Sequence, residues 1–212
     1  MSKISKDLEY ILSWLKSTEV EFIDCFNPGL TSQEVDDFSR ELPFKLSDEI
    51  HELYQWRNGI ADIGFNNYRP LVEFLFPDQF HNGFPTVFRN LKDSILNYHN
   101  LYQVSQELVN SSSNYEFWNQ KWFPIASFEN KKILYVVGDL NPSPVYFHVV
   151  GNLNNPTRVY KSIASMVSTI AECCEQGLYQ IMANDGDDDD IVVRMDEHKL
   201  DIEKEIYQKH NS

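Results

Sequence analysis

Four strand-like runs, Trp122 to Phe128, Ile133 to Val137, Val145 to Val150 and Thr157 to Tyr160, follow one another through short connections. The runs are rich in aromatic and β-branched residues. They are separated by turn-forming stretches at Glu129-Asn130-Lys131, Asn141-Pro142-Ser143-Pro144 and Gly151 to Pro156. Parallel pairing needs a crossover of roughly a dozen residues or more, which none of these connections supplies. The four runs are therefore predicted to form an antiparallel meander.

Helical periodicity surrounds this sheet. Ile4, Leu8, Ile11, Leu12 and Leu15 line one face of an amphipathic helix from about Lys3 to Thr18. After the break at Asn27-Pro28-Gly29, Thr31-Ser32-Gln33-Glu34 reads as a capping box opening a short helix to Glu41. Pro43 turns Leu42 out of helical geometry, and Ser47 caps the next helix, with Asp48 and Glu49 in its first turn. Ile50, Leu53, Tyr54 and Trp56 or Arg57 define the faces of that helix, and Asn58-Gly59 is expected to stop it. From Ile60 to Phe88 the chain is aromatic and poorly periodic, a structured loop with a short strand at Leu71 to Phe76. A further helix runs from about Asn90 to the region of Val109, and Ser162 caps one carrying Ile163, Met166, Val167, Ile170 and Cys174, closed by Gly177. Helices, then sheet, then a covering helix make an α+β fold, with a mostly antiparallel sheet of four to six strands packed with helices.

At 212 residues and 42% hydrophobic, the chain can bury a substantial core. Its net charge of −14 disfavours direct contact with nucleic acid or anionic lipid, since no basic patch overrides it. No run approaches the roughly 20 apolar residues of a membrane span, and no apolar leader develops at the N-terminus. Cys25, Cys173 and Cys174 fit neither a disulfide framework nor a zinc site. A cytoplasmic, reducing location follows as the expectation.

Asp185-Gly186-Asp187-Asp188-Asp189-Asp190 marks a compositional boundary. Beyond Ala183, ten acidic residues face four basic ones, so this tail holds nearly half of the excess negative charge. Residues 1–183 are read as one α+β domain with helix 3–18 packed on it, and 184–212 as an acidic linker followed by a C-terminal helix. Ile191 to Met195 adds one strand, whereas Asp196 to Lys209 alternates charge like a solvated helix. Without an apolar stripe comparable to the earlier helices, the tail is expected to be dispensable for folding.

Little in the chain points to bond chemistry. His51, His81, His99, His148, His198 and His210 are scattered, and no nucleophile elbow or glycine-rich phosphate loop is present. Asp185, Asp187 and Asp189 occupy positions 1, 3 and 5 of a calcium-loop frame, a weak metal candidate. That frame fails at its sixth position, Asp190, and at its twelfth, Asp196, which call for glycine and glutamate. The sequence assigns no catalytic residue and no cofactor. Trp56, Phe65, Tyr68, Phe74 and Phe76, with Asp62, Glu73 and Asp78 among them, form a candidate partner-binding patch, apolar at its centre and negative at its rim.

Leu42-Pro43, the helix ending Tyr54-Gln55-Trp56-Arg57-Asn58-Gly59, the strand Trp122-Phe123-Pro124-Ile125-Ala126, the hairpin after it and the helix from Ser162 together resemble the SUKH superfamily, specifically its Smi/Knr branch. The resemblance covers about Ser32 to Gly177. It implies a SUKH-like α+β fold without catalytic activity, and assigns Leu42, Pro43, Tyr54, Asn58, Gly59, Trp122, Pro124, Ile125 and Ala126 to the structural motif. The sequence departs from the family at Phe128-Glu129-Asn130-Lys131-Lys132, where members commonly place glycines in the turn. Bacterial members are associated with immunity to polymorphic toxins, often nucleases, and fungal ones with regulation of cell-wall synthesis. The resemblance therefore implies a protein-binding domain whose partner is another protein, such as a basic toxin domain. A regulatory or scaffold role is the alternative, and an undetected enzyme the remote one.

Overall fold

The computed structural model describes residues 2–17, 26–60, 87–110, 117–128, 131–150, 156–183 and 191–212. Its central sheet has five antiparallel strands in the order β3-β4-β5-β6-β7: Val87–Phe88, Trp122–Phe128, Lys132–Val137, Val145–Val149 and Thr157–Tyr160. The last four form the expected meander. Trp122 lies opposite Val137, Lys132 opposite Val149, and Val145 opposite Tyr160. A register shift between Pro124 and Ala126 bends β4 where the ring of Pro124 removes a ladder donor.

Both faces of the sheet are covered. Phe123, Leu134, Val136, Val145 and Val159 join the main core, while Ile133 and Tyr135 join a second cluster with Leu101, Phe117 and Trp118. Two-sided burial explains the run Ile133-Leu134-Tyr135-Val136-Val137, which lacks the apolar–polar alternation of a half-solvated strand.

Helix α1, Lys3–Ser17, buries Ile4, Leu8, Ile11, Leu12 and Leu15, the set its periodicity singled out. Helix α2, Ser32–Ser39, starts at the Thr31/Glu34 capping box. It stops short of the expected Glu41 because the Leu42 N–H folds back onto the Ser39 carbonyl at 3.0 Å and Leu42 turns inward. Helix α3, Asp48–Trp56, is capped by Ser47. Asn58-Gly59 does not terminate it as expected. The chain is already extended at Arg57, and both residues lie in β2, Arg57–Ile60, which pairs with β1, Phe26–Pro28.

Helix α4, Leu91–Asn110, is capped by Asn90, whose Oδ1 accepts from the Asp93 N–H at 2.9 Å. Helix α5, Ile163–Glu175, is buried over most of its surface between α1, α3 and the C-terminal helix. It closes on Gly177 at φ 62°, with Leu178 N–H donating to Cys173 O and Gly177 N–H to Cys174 O, a Schellman ending.

Two further features depart from the sequence reading. The expected strand Ile191–Met195, β9, pairs with Tyr179–Ala183, β8, which the sequence reading did not assign because it follows immediately on the α5 cap. The C-terminal helix α6, Leu200–Asn211, is also not the solvated helix its charge alternation predicts. It packs on α5, with Ile206 5% exposed and Glu203 3% exposed. Its inward face is narrow and partly polar, so no apolar stripe announced the seat.

Candidate functional site

The segment between α2 and α3 forms the floor of an open groove of about 630 Å³. Leu42, Pro43, Phe44 and Leu46 line the floor, α2 contributes Asp36, Ser39 and Arg40, and His51 and Asp139 close it. Its shape is fixed from below. The Phe44 ring enters the core edge-on to Tyr98 at 5.4 Å and to Phe123 at 6.3 Å. Gly138 permits that approach, since a Cβ there would fall 2.3 Å from the Phe44 ring. Asp139, at φ 64°, ties the β5–β6 turn to the floor in both directions: its carboxylate accepts from the Lys45 N–H and its own N–H donates to the Lys45 carbonyl, each at 3.0 Å. The Lys45 backbone N–H, with the Lys121 ammonium at 2.9 Å, holds the Asp139 carboxyl below the usual carboxylate range.

Charges on the groove walls are largely matched. Arg40 pairs with Asp37, and His51 Nε2 stands 3.7 Å from Asp36 Oδ1. The Asp36 side chain nonetheless stays 60% exposed, leaving a carboxylate open to solvent within the groove. An apolar floor under a polar rim is the anatomy of a protein contact surface. Among the described residues no group of three or more His, Cys, Asp or Glu side chains is placed to hold a metal ion.

The residues of the sequence motif have a different placement. Tyr54 is fully buried and its hydroxyl meets Ser94 Oγ at 3.0 Å. Asn58 Oδ1 accepts from the Leu91 N–H at 2.8 Å, one of the unpaired donors at the start of α4. Gly59, at φ 68°, lies so close to that helix start that a Cβ would meet Asn90 N at 2.2 Å. Pro124, Ile125 and Ala126 are buried in β4, and Trp122 stacks on Tyr135 with centroids 4.6 Å apart. Of this set only Leu42 and Pro43 line the groove, Leu42 from its buried floor and Pro43 exposed.

Trp56, read from sequence as part of a contact patch, is instead 7% exposed and packs on Phe26 at 5.4 Å. Asp62, Phe65, Tyr68, Glu73, Phe74, Phe76 and Asp78 lie outside the described residues, as do Asp185, Asp187 and Asp189. Sequence reasoning did not single out the groove or Glu49. In α3, Glu49 resembles any acidic residue of a first helical turn, and only the tertiary fold shows its carboxylate reaching α5. Asp36 and His51 sit on separate helices, so no local spacing linked them.

An antiparallel meander covered by helices, a motif spent on the core and an open groove beside it define an α+β domain built to present a surface. The model of the SMI1/KNR4 family (SUKH-1) matches residues 29–169, and the chain belongs to that family. No curated protein matches the chain. The matched span includes every residue lining the groove. Membership is consistent with an immunity-type or regulatory domain and with protein–protein interaction in general. No described helix is long and apolar enough to cross a membrane.

Proposed function

We propose that this protein is a non-enzymatic, cytoplasmic binding domain of immunity type that neutralises a basic toxin domain by occupying its surface. The groove at Leu42 to Leu46 carries the reading. Phe44 and Asp139 hold its floor from the inside, so partner binding incurs little ordering cost. The net charge of −14 supports a cationic partner, whose encounter it would accelerate. A nuclease surface built to hold phosphates has that character.

The test is to search the genes flanking this chain for a toxin domain and to measure survival of cells that express it. Co-expression of the unaltered protein is expected to rescue growth. Asp36→Lys, which reverses the open carboxylate in the groove without entering the core, is expected to weaken rescue. Equal killing with and without the protein would remove the immunity reading and leave the regulatory one.

A further inference from the structure

The seam beneath the C-terminal helix places a carboxyl group where an apolar residue would ordinarily sit. Glu203 is 3% exposed, and its Oε1 is buried without a hydrogen-bond partner. The groups that face it are Tyr160 of β7, Cys173 of α5 and Tyr179 of β8, while Tyr207, one turn along its own helix, faces Arg158 of β7. Tyr160, Cys173 and Tyr179 are themselves buried, at 4%, 0% and 6% exposure. None of the three offers a positive charge to an ionised Glu203.

What else holds α6 in place is modest. Ile206 is its one buried aliphatic side chain, while Leu200 and Ile202 remain 49% and 45% exposed. The remaining attachments are polar and concentrated at the C-terminal end. The Tyr207 hydroxyl donates to the Val159 carbonyl at 2.6 Å, and Ser165 Oγ donates to Asn211 Oδ1 at 2.8 Å. Lys209 and His210 both reach Glu172 at 2.7 Å. A helix with so little apolar contact and an unpaired acid at its centre has a seat that depends on that acid being neutral.

We propose that α6 is a pH-dependent clasp, seated on α5 and β7 while Glu203 is protonated and loosened when Glu203 ionises. Burial raises the Glu203 carboxyl to about 7. Burial also raises Cys173 to about 12 and lifts Tyr160, Tyr179 and Tyr207, so these neighbours stay neutral across the range in which Glu203 titrates. Glu172 moves the other way: hydrogen bonding from Lys209, with a smaller contribution from His210, lowers it and keeps that contact ionised.

The sign follows from proton linkage. The seated helix binds a proton that the released helix gives up at an ordinary carboxylate value. Its stabilisation is full below that value and is lost as pH rises toward 7. Between pH 5.5 and 8.5 this corresponds to a roughly thirtyfold weakening of the seat.

Hydrogen exchange of the full chain tests the clasp, with protection over residues 200–211 corrected for intrinsic rates. Protection is expected to fall by about thirtyfold from pH 5.5 to 8.5. Glu203→Gln should hold it constant. His210→Asn, which removes the imidazole contact with Glu172, should retain the wild-type fall. A constant protection in the wild type, or the same fall in Glu203→Gln, would overturn the proposal. Carbon-detected titration of the Glu203 carboxyl in the unaltered chain reads the event without substitution. A midpoint near 7 that tracks the loss of protection supports the clasp, and a midpoint in the ordinary carboxylate range overturns it.

Discussion

Glu49 sits in the first turn of α3, where an acidic side chain ordinarily faces solvent and complements the helix dipole. Here it is 8% exposed, and its carboxylate accepts from the backbone N–H groups of Ser143 at 2.7 Å and of Ile163 and Ala164 at 3.3 Å. One side chain thus joins α3, the β5–β6 turn and the start of α5. Glu49→Ala removes the acceptor of the Ser143 and Ala164 N–H groups, while the Ile163 N–H keeps the Ser143 carbonyl at 3.1 Å, and is expected to cost about 3 kcal/mol in denaturant unfolding. Glu49→Gln keeps the shape, loses the charge and should cost about half as much. An alanine variant as stable as wild type would contradict this role. Gly59→Ala forces a Cβ into the backbone of Asn90 at positive φ, and should destabilise by about 2 kcal/mol or more. Neither consequence was legible locally. Glu49 and the groups it binds are about a hundred residues apart in sequence, and Asn58-Gly59 resembles a helix stop because the same conformational freedom serves both uses.

Among the elements, those with a full apolar face were readable. The buried residues of α1 follow its period, and the strands of the meander were bounded by their turns. Elements whose seat is mixed were not. The inner face of α6 combines Ile206 and Tyr207 with Glu203, so its pattern looks solvated although the helix covers α5. The solvated helix expected from sequence is therefore replaced by an attached one. Ile206→Ala is expected to cost about 2 to 4 kcal/mol, as for other buried aliphatic truncations. Removing everything after Met195 should lower the thermal midpoint of the whole protein. A truncated chain that melts with the full one would show that α6 contributes nothing to the body.

At the scale of the molecule, composition supplied charge and class but not the contact surface. The groove is assembled from α2, its following loop, α3 and the β5–β6 turn, segments brought together only by the fold. Motif residues drew attention in the sequence because the core uses them, whereas groove residues such as Asp36 and Arg40 have no distinguishing pattern. A surface of net charge −14 predicts an association rate with a basic partner that falls as salt rises, because screening shortens to about 10 Å at 0.1 M. Stopped-flow association at two ionic strengths checks this, and a salt-independent rate would contradict it. The most direct measurement is calorimetric titration of the purified protein against a basic toxin domain, taken from the genes flanking this chain. A stoichiometric complex that Asp36→Lys weakens at least tenfold, with the fold unchanged by circular dichroism, is the expected result. No binding heat at any salt concentration, or an affinity indifferent to Asp36→Lys, would contradict a partner seated on the groove.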